Sequence, residues 1–287
     1  MAFSTQTTVK LHYIFSKPLS PKQLSPKQPK YYVLIHGLFF GNLASWYPFF
    51  TQVLSQENYV LCYDLRGHGL SEAPHQGYRL EDHLDDLEHL LNELNLTDQN
   101  LCFIGHSYGA RLALAMLKAR HGSSGEKKPT LDRMYLIDPP LLMANQEDQE
   151  FLEQLKNTNI NDLKSHLPNS LALLLTKEGR RLKKMLKRWT YLLQETQFLK
   201  ELEGLENIDR EDLALINRFG RVLFGSESGC YKAFPLLQER LDQHSDQSQL
   251  QVIQGGGHFL LNQSPQQVLD FIISAPKQIS QANQNRD

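Results

Sequence analysis

GHSYG, at residues 105–109, stands between an apolar run and a helical run. Residues 101–104 (LCFI) predict a buried strand, and residues 110–120 predict a helix. A serine between two glycines at such a junction lies on a sharp turn that exposes its hydroxyl at the edge of a sheet. The glycines are needed because a strained turn tolerates no bulk at the flanking positions. Ser107 is therefore a candidate nucleophile, and a Gly/Ser turn without function is the less favoured alternative.

The composition bounds the class of protein. The chain has 287 residues with 30 basic and 32 acidic side chains, which fits one large α/β domain or two modest ones and gives no sign of nucleic-acid binding. Cys62 and Cys102 fall in apolar strand-like runs and are predicted to be core residues, not half of a disulfide. No segment has the ~20 apolar residues of a membrane span, and the first ten residues lack a signal-peptide stretch. We therefore expect a cytoplasmic protein without a transmembrane segment.

Short apolar runs alternate with helical stretches through most of the chain. Residues 80–94 place leucines on one helix face and acidic residues on the other. This alternation predicts an α/β fold with a mostly parallel central sheet covered by helices on both faces. Ligands of such sheets bind beyond the carboxyl ends of the strands. After an edge strand at 9–15, buried strands are predicted at 32–35, 59–63, 101–104, 134–137, 222–224 and 250–253, and the tandem LSPKQ repeat at 19–28 is predicted to be a polar loop.

One long stretch, residues 141–217, has helical periodicity and no strand signal. We interpret it as an all-helical cap inserted into a core formed by residues 1–140 and 218–287. Its leucines, with Trp189 and Phe198, indicate an apolar pocket for part of a small-molecule substrate. A basic run is either a solvated face or a docking surface for an anionic group or carrier; it comprises Lys177, Arg180, Arg181, Lys183, Lys184, Lys187 and Arg188.

The segment after the first core strand reads HGLFFG from His36. The backbone N–H just after His-Gly can point at an acyl oxygen, partnered by the N–H that follows the nucleophile. Leu38 and Tyr108 are therefore the predicted oxyanion-hole pair, acting through backbone atoms. A second turn, DLRGHGLS at 64–71, contains Asp64 and His68, for which we favour a structural role over a catalytic one.

The predicted base is His258, in the glycine-rich segment GGGHF at residues 255–259. It follows the last predicted strand, where a histidine can reach the serine turn, and it comes after the nucleophile in chain order. His106 is adjacent to Ser107 but lies on the other side of the turn, so we interpret it as a packing residue.

These motifs together resemble the α/β-hydrolase superfamily, in its capped serine-hydrolase branch. The resemblance rests on HG after the first core strand, DLRGHGLS, GHSYG and GGHF, which occur in the family's order. It covers most of the chain outside the cap and is specific for fold, not for substrate. It implies a Ser-His-acid triad.

The family's acid commonly follows the strand after the cap, where this chain reads FGSESGC at 224–230 and has no Asp. Two replacements are available. Asp138, which ends the strand before the cap, resembles the arrangement of some branches, the haloalkane dehalogenases among them. Glu227 lies one position from the usual register. An acid is needed to orient the imidazole and stabilise the imidazolium. We favour Asp138 and keep Glu227 as the alternative; the structural alternative is an Asp138 that only anchors the hinge of the cap.

The expected activity is hydrolysis of a carboxylic ester or thioester through an acyl-enzyme. A second hypothesis is a C–C bond hydrolase or lyase acting on a carboxylate, since Arg111 lies one helical turn after Ser107 and resembles an arginine of the menaquinone-pathway branch. Pairing of Arg111 with an acid on a neighbouring helix is the structural alternative. A third hypothesis is a binding module without activity. We predict neither a metal nor a cofactor.

Overall fold

In the computed structural model of the protein, residues 2–3, 9–19, 30–38, 41–122, 133–142, 180–202, 204–241 and 249–274 are described. Most of the LSPKQ repeat and the greater part of the predicted cap, residues 143–179, lie outside these ranges.

The centre of the fold is one eight-stranded sheet in the order β1-β2-β4-β3-β5-β6-β7-β8. All neighbours from β4 to β8 are parallel, whereas β1 and β2 are antiparallel additions at one edge. The prediction of a mostly parallel sheet is confirmed, although the edge strand begins at His12 and not at residue 9. The strands are β1 Ala2–Phe3, β2 His12–Ser16, β3 Tyr31–Ile35, β4 Tyr59–Tyr63, β5 Leu101–His106, β6 Arg133–Ile137, β7 Gly220–Gly225 and β8 Leu250–Ile253.

Helices cover both faces of the sheet, because strand side chains alternate between the faces. On β3, Val33 belongs to the core beneath α2 and α3, whereas Leu34 belongs to the core beneath α1 and α9. The helices are α1 Phe49–Leu54, α2 Leu80–Glu93, α3 Tyr108–Gly122, α4 Arg180–Glu195, α5 Phe198–Leu202, α6 Arg210–Phe219, α7 Gly229–Leu241, α8 Leu260–Gln263 and α9 Pro265–Ile273, with a 3-10 turn at Leu43–Ser45. Within the ranges given above, no helix is long and apolar enough to cross a membrane.

The strand register places the C-terminal ends of β5, β6, β7 and β8 side by side. His106 at the end of β5 pairs with Ile137 at the end of β6, which pairs with Leu223 of β7. Gly225 of β7 in turn pairs with Ile253 of β8. The loops after these strands therefore meet at one edge of the sheet, where a parallel α/β sheet places its ligands.

Candidate active site

Ser107 occupies the turn between β5 and α3 with φ of 55°. This left-handed backbone is rare for a residue with a side chain and costs free energy. The turn is held by two backbone hydrogen bonds, from Ser107 N–H to the Ile137 carbonyl (2.9 Å) and from Ala110 N–H to the Ser107 carbonyl (2.8 Å). The strained serine is thus anchored both to the neighbouring strand and to its own helix.

The two glycines of the turn are required by close backbone approach. A Cβ on Gly105 would collide with the carbonyl of Gly109, and a Cβ on Gly109 would collide with the carbonyls of Ile35 and His36. The turn therefore crosses directly over the end of β3. This contact explains in steric terms why the sequence has glycine on both sides of His106-Ser107-Tyr108.

His258 lies in the loop after β8, and its imidazole faces Ser107. The Ser107 hydroxyl is 2.8 Å from His258 Nε2, a hydrogen-bond distance. His106 holds this loop through the backbone, since its Nε2 is 2.7 Å from the His258 carbonyl oxygen. Burial lowers the pKa of His106 to about 4, so the ring is neutral near pH 7 and donates its one N–H to that carbonyl. His106 is a buried packing residue, as predicted, but its contact with the His258 loop was not predicted.

Asp138 follows β6 and is buried completely. Like Ser107, it has a left-handed backbone, with φ of 45°. Its Oδ2 accepts from His258 Nδ1 at 2.6 Å and from the Ser228 hydroxyl, and its Oδ1 accepts from Gly225 N–H at 3.0 Å. Three donors therefore orient this carboxylate and stabilise its charge.

The other candidate acid, Glu227, is placed differently. It is an exposed residue whose backbone N–H donates to the Gly256 carbonyl at 2.9 Å. The next residue, Ser228, is buried and holds Asp138 through its hydroxyl. The structure thus joins Asp138, not Glu227, to His258.

The segment His36-Gly37-Leu38 lies against the nucleophile turn. A Cβ on Gly37 would come within 2.9 Å of the Ser107 Cβ, so the backbone at this point passes close to Ser107. Tyr108 is the first residue of α3, and the N–H groups of a first helical turn have no carbonyl partner within the helix. The two predicted oxyanion donors, Leu38 and Tyr108, therefore flank Ser107, and their role stays a prediction.

Asp64 directly follows β4 and holds the turn after that strand. The buried carboxylate accepts from Leu43 N–H (2.6 Å) and Leu70 N–H (3.0 Å) and lies 2.6 Å from His12 Nδ1. It therefore closes the turn that follows β4, which confirms its structural role. Arg66, in the same turn, forms a bidentate ion pair with Asp86 of α2, at 2.7 Å for both contacts.

Arg111 is buried in α3, and two of its N–H groups donate to the carbonyls of Leu141 (3.3 Å) and Glu206 (2.6 Å). Burial lowers the pKa of its guanidinium, an effect opposed by Asp212. It thereby ties α3 to the segment after β6 and to the segment between α5 and α6. It also lines a cavity of about 900 Å³, next to Tyr108. Its predicted substrate-binding role stays a prediction.

The basic run is only partly within the described residues; Lys177 lies outside them. Arg188 of α4 is partly buried, and its guanidinium donates to the carbonyls of Gly67 (2.9 Å) and Ser71. Lys184 and Lys187 are exposed. Trp189 and Phe198 are buried, and the ring of Phe198 contacts Tyr78 at 5.2 Å between centroids. Phe198 belongs to the hydrophobic core on one face of the sheet, and docking of an anionic partner on the lysines stays a prediction.

Cys230 was not anticipated near the site. Its Sγ lies 3.8 Å from His258 Nδ1, whereas Cys62 and Cys102 are buried core residues, as predicted. Nothing in the sequence around Cys230 marks it, because the contact depends on how α7 starts beside the His258 loop.

A mostly parallel sheet with a strained serine after β5, a buried aspartate after β6 and a histidine after β8 defines the class of α/β hydrolases. Sequence comparison agrees: residues 32–271 match the alpha/beta hydrolase family. The chain belongs to this family.

Individual relatives are distant. A 2-(acetamidomethylene)succinate hydrolase of Mesorhizobium japonicum is 35% identical over 79 residues, which is 28% of this chain and 27% of that protein. The chain therefore matches about a quarter of the length of this curated relative.

Two solved structures share the fold along nearly the whole chain. A carboxylesterase from the thaumarchaeon Nitrososphaera gargenis is 20% identical with a TM-score of 0.65, over 94% of this chain and 96% of that one. The enol-lactonase of Burkholderia xenovorans LB400 is 19% identical with a TM-score of 0.64, over 95% and 100% of the two chains.

Proposed function

We propose that this protein is a serine hydrolase that cleaves a carboxylic ester or thioester through an acyl-enzyme. The observation that carries the proposal is the continuous chain of hydrogen-bond distances from Ser107 Oγ to His258 Nε2 (2.8 Å) and from His258 Nδ1 to Asp138 Oδ2 (2.6 Å). A nucleophile, a base and a carboxylate that orients the base are the three parts that such chemistry needs.

In the first half-reaction, Ser107 Oγ attacks the acyl carbon while His258 Nε2 takes the hydroxyl proton. The carbonyl oxygen becomes an oxyanion that the backbone N–H groups of Leu38 and Tyr108 stabilise. Collapse breaks the bond to the alkoxide or thiolate, which leaves with the proton from Nε2. Asp138 stays ionised and stabilises the imidazolium between the two transfers.

In the second half-reaction, water replaces the leaving group. His258 takes a proton from the water as it attacks the acyl-enzyme, and returns that proton to Ser107 Oγ when the acid product leaves. The backbone strain at Ser107 and at Asp138 is consistent with this assignment, because strained backbone is concentrated at functional sites. The ester preference is supported by the names of the two structural neighbours, since a carboxylesterase and a lactonase both cleave an ester bond.

A second candidate is hydrolysis or C–C bond cleavage of a substrate that carries a carboxylate. It is favoured by the succinate in the name of the curated relative and by the buried guanidinium of Arg111 close to Tyr108. The hydrogen bonds from Arg111 to two backbone carbonyls weaken it, since they occupy donors that a substrate carboxylate would need. A panel of aryl esters, acyl thioesters and dicarboxylates would rank the two candidates.

The decisive experiment is labelling with a fluorophosphonate followed by mapping of the modified peptide. We expect stoichiometric modification at Ser107 in the wild type and none in Ser107→Ala, with ester turnover reduced by about 10⁶-fold in that variant. Ser226→Ala is a matched control, because Ser226 lies at the end of β7 and its hydroxyl accepts from Gly255 N–H (2.9 Å). A folded wild-type protein that resists the label and turns over none of the panel would contradict the proposal and favour a binding module.

A further inference from the structure

A thiol adjoins the base on the side opposite Ser107. Cys230 lies in the first turn of α7, and its Sγ is 3.8 Å from Nδ1 of His258, the nitrogen that faces Asp138. Sγ, Nδ1 and a carboxylate oxygen of Asp138 all lie within 4.8 Å of one another. The proposed mechanism uses two of these three groups and gives the thiol no role.

Thiolate sulfur, imidazole nitrogen and carboxylate oxygen are the ligands of Zn²⁺ in proteins, at about 2.0–2.3 Å from the ion. Ligand atoms around a tetrahedral ion of that size lie roughly 3.3–3.7 Å apart. The distance of 3.8 Å between Cys230 Sγ and His258 Nδ1 is close to this value. The distance of 2.6 Å between Nδ1 and Asp138 Oδ2 is shorter, so a small rotation of the imidazole must open that hydrogen bond.

The three side chains differ in burial: Asp138 is buried and held by hydrogen bonds, whereas His258 and Cys230 are accessible from solvent, as a metal site requires. Asp138 is fully buried and held by Gly225 N–H and the Ser228 hydroxyl, so its carboxylate forms a fixed floor. The His258 side chain is 31% exposed, and Cys230 is half-buried. An ion can therefore approach from the side of the imidazole and the thiol.

We propose that Cys230, His258 and Asp138 form an inhibitory site for a thiophilic divalent cation of the Zn²⁺ type. On binding, the thiol loses its proton to solvent and sulfur coordinates as thiolate. As the cation takes the place of the proton on His258 Nδ1, that proton moves through solvent to Nε2, so the imidazole stays neutral and carries its single proton on Nε2. That nitrogen then donates and no longer accepts, so it cannot take the proton of Ser107.

Binding is tested without reference to activity by titrating the apo protein with Co²⁺. We expect a near-ultraviolet thiolate-to-cobalt charge-transfer band in the wild type, its loss in Cys230→Ala, and its retention in Cys102→Ala, which removes a different thiol. Near-ultraviolet circular dichroism confirms folding, and Cys230→Ser is the second variant should Cys230→Ala not fold. Absence of the band from the wild type, or its persistence in a folded Cys230 variant, would overturn the proposal.

Inhibition is tested with Zn²⁺ on the turnover of an aryl ester. This part rests on the proposed function. We expect Zn²⁺ to inhibit the wild type and Cys102→Ala reversibly on addition of a chelator. In Cys230→Ala, loss of a direct ligand should raise the half-inhibitory concentration at least about 100-fold. Equal inhibition of both variants would refute the site, whereas a cobalt band in a protein that turns over no ester would support the metal site and refute the proposed function.

Discussion

The segments that follow β6 and β7 differ in the side chains that they place beside His258. β6 is followed directly by Asp138, whose buried carboxylate accepts from His258 Nδ1 at 2.6 Å. The loop after β7 contains an exposed glutamate, Glu227, and a buried serine, Ser228, whose hydroxyl donates to the same carboxylate. In the family pattern that this sequence resembles, the acid commonly follows the strand after the cap, which is β7 here.

The difference indicates that a carboxylate can contact the same imidazole from a different place in the chain than the family pattern suggests. β6 and β7 are paired, with Ile137 beside Leu223, and Ser228, in the loop after β7, donates to the same Asp138 oxygen that contacts His258 Nδ1. With the carboxylate after β6, an uncharged residue in the loop after β7 avoids the repulsion of a second carboxylate. A serine is uncharged and adds a donor.

The largest expected effect is the difference in kcat/KM between a variant of the residue after β6 and a variant of a residue in the loop after β7. Asp138→Asn should reduce kcat/KM for an aryl ester by about 10⁴-fold, since an amide cannot hold the reactive tautomer or stabilise the imidazolium. Glu227→Gln should change kcat/KM by no more than about twofold, as expected for an exposed side chain. Steady-state kinetics on the two purified variants, with circular dichroism to confirm folding, provide the measurement.

The reverse ranking, with the greater loss in Glu227→Gln, would contradict the assignment of Asp138. Losses below about tenfold in both variants would also contradict it, because neither strand end would then supply the carboxylate that the mechanism requires.

A smaller effect, a partial recovery of kcat/KM, is expected when a carboxylate is moved from position 138 to the loop after β7. In the Asp138→Asn background, Ser228→Asp places a carboxylate where the Ser228 hydroxyl now contacts position 138. We expect kcat/KM to recover at least about tenfold over Asp138→Asn alone, because the new carboxylate can accept from His258 Nδ1. The control is Ser228→Asn in the same background, which adds similar bulk without a charge.

Equal activity of these two double variants would mean that the β7 position cannot orient the base. The equivalence of the two strand ends would then be wrong, although the assignment of Asp138 would stand.

The sequence was sufficient for the parts of the site that depend on local geometry. The buried strands follow from short apolar runs, and the turn at Ser107 follows from Gly105 and Gly109, whose missing side chains allow the backbone contacts of the turn. His258 was identified because its glycine-rich loop follows the last strand. In each of these cases the signal and the structure lie within a few residues of each other.

The sequence was insufficient where a contact joins distant segments through side-chain packing. His258 and Asp138 are 120 residues apart, and Ser228 and Asp138 are 90 apart. Both candidate acids were compatible with the pattern, which favoured Asp138, and in the structure the contact of the buried Asp138 carboxylate with His258 Nδ1 distinguishes it from the exposed Glu227. The contact of His106 with the His258 carbonyl and the approach of Cys230 to Nδ1 likewise arise from the register of β5, β7 and β8, which no local pattern encodes.

The smallest expected effect concerns the hydroxyl that β7 contributes. Ser228→Ala removes one of three donors to the Asp138 carboxylate but leaves Gly225 N–H and His258 in place. A hydrogen bond to a charged group contributes about 1.5–3 kcal/mol, part of which the remaining donors or a water can recover, so we expect kcat/KM to fall by roughly tenfold. The control is Ser226→Ala. The Ser226 hydroxyl accepts from Gly255 N–H and does not donate to Asp138 in the structure, so this variant should retain nearly full activity.

A loss in Ser228→Ala as large as that of Asp138→Asn would show that the Ser228 hydroxyl is indispensable to the function of Asp138. Unchanged kinetics would show that β6 alone provides it.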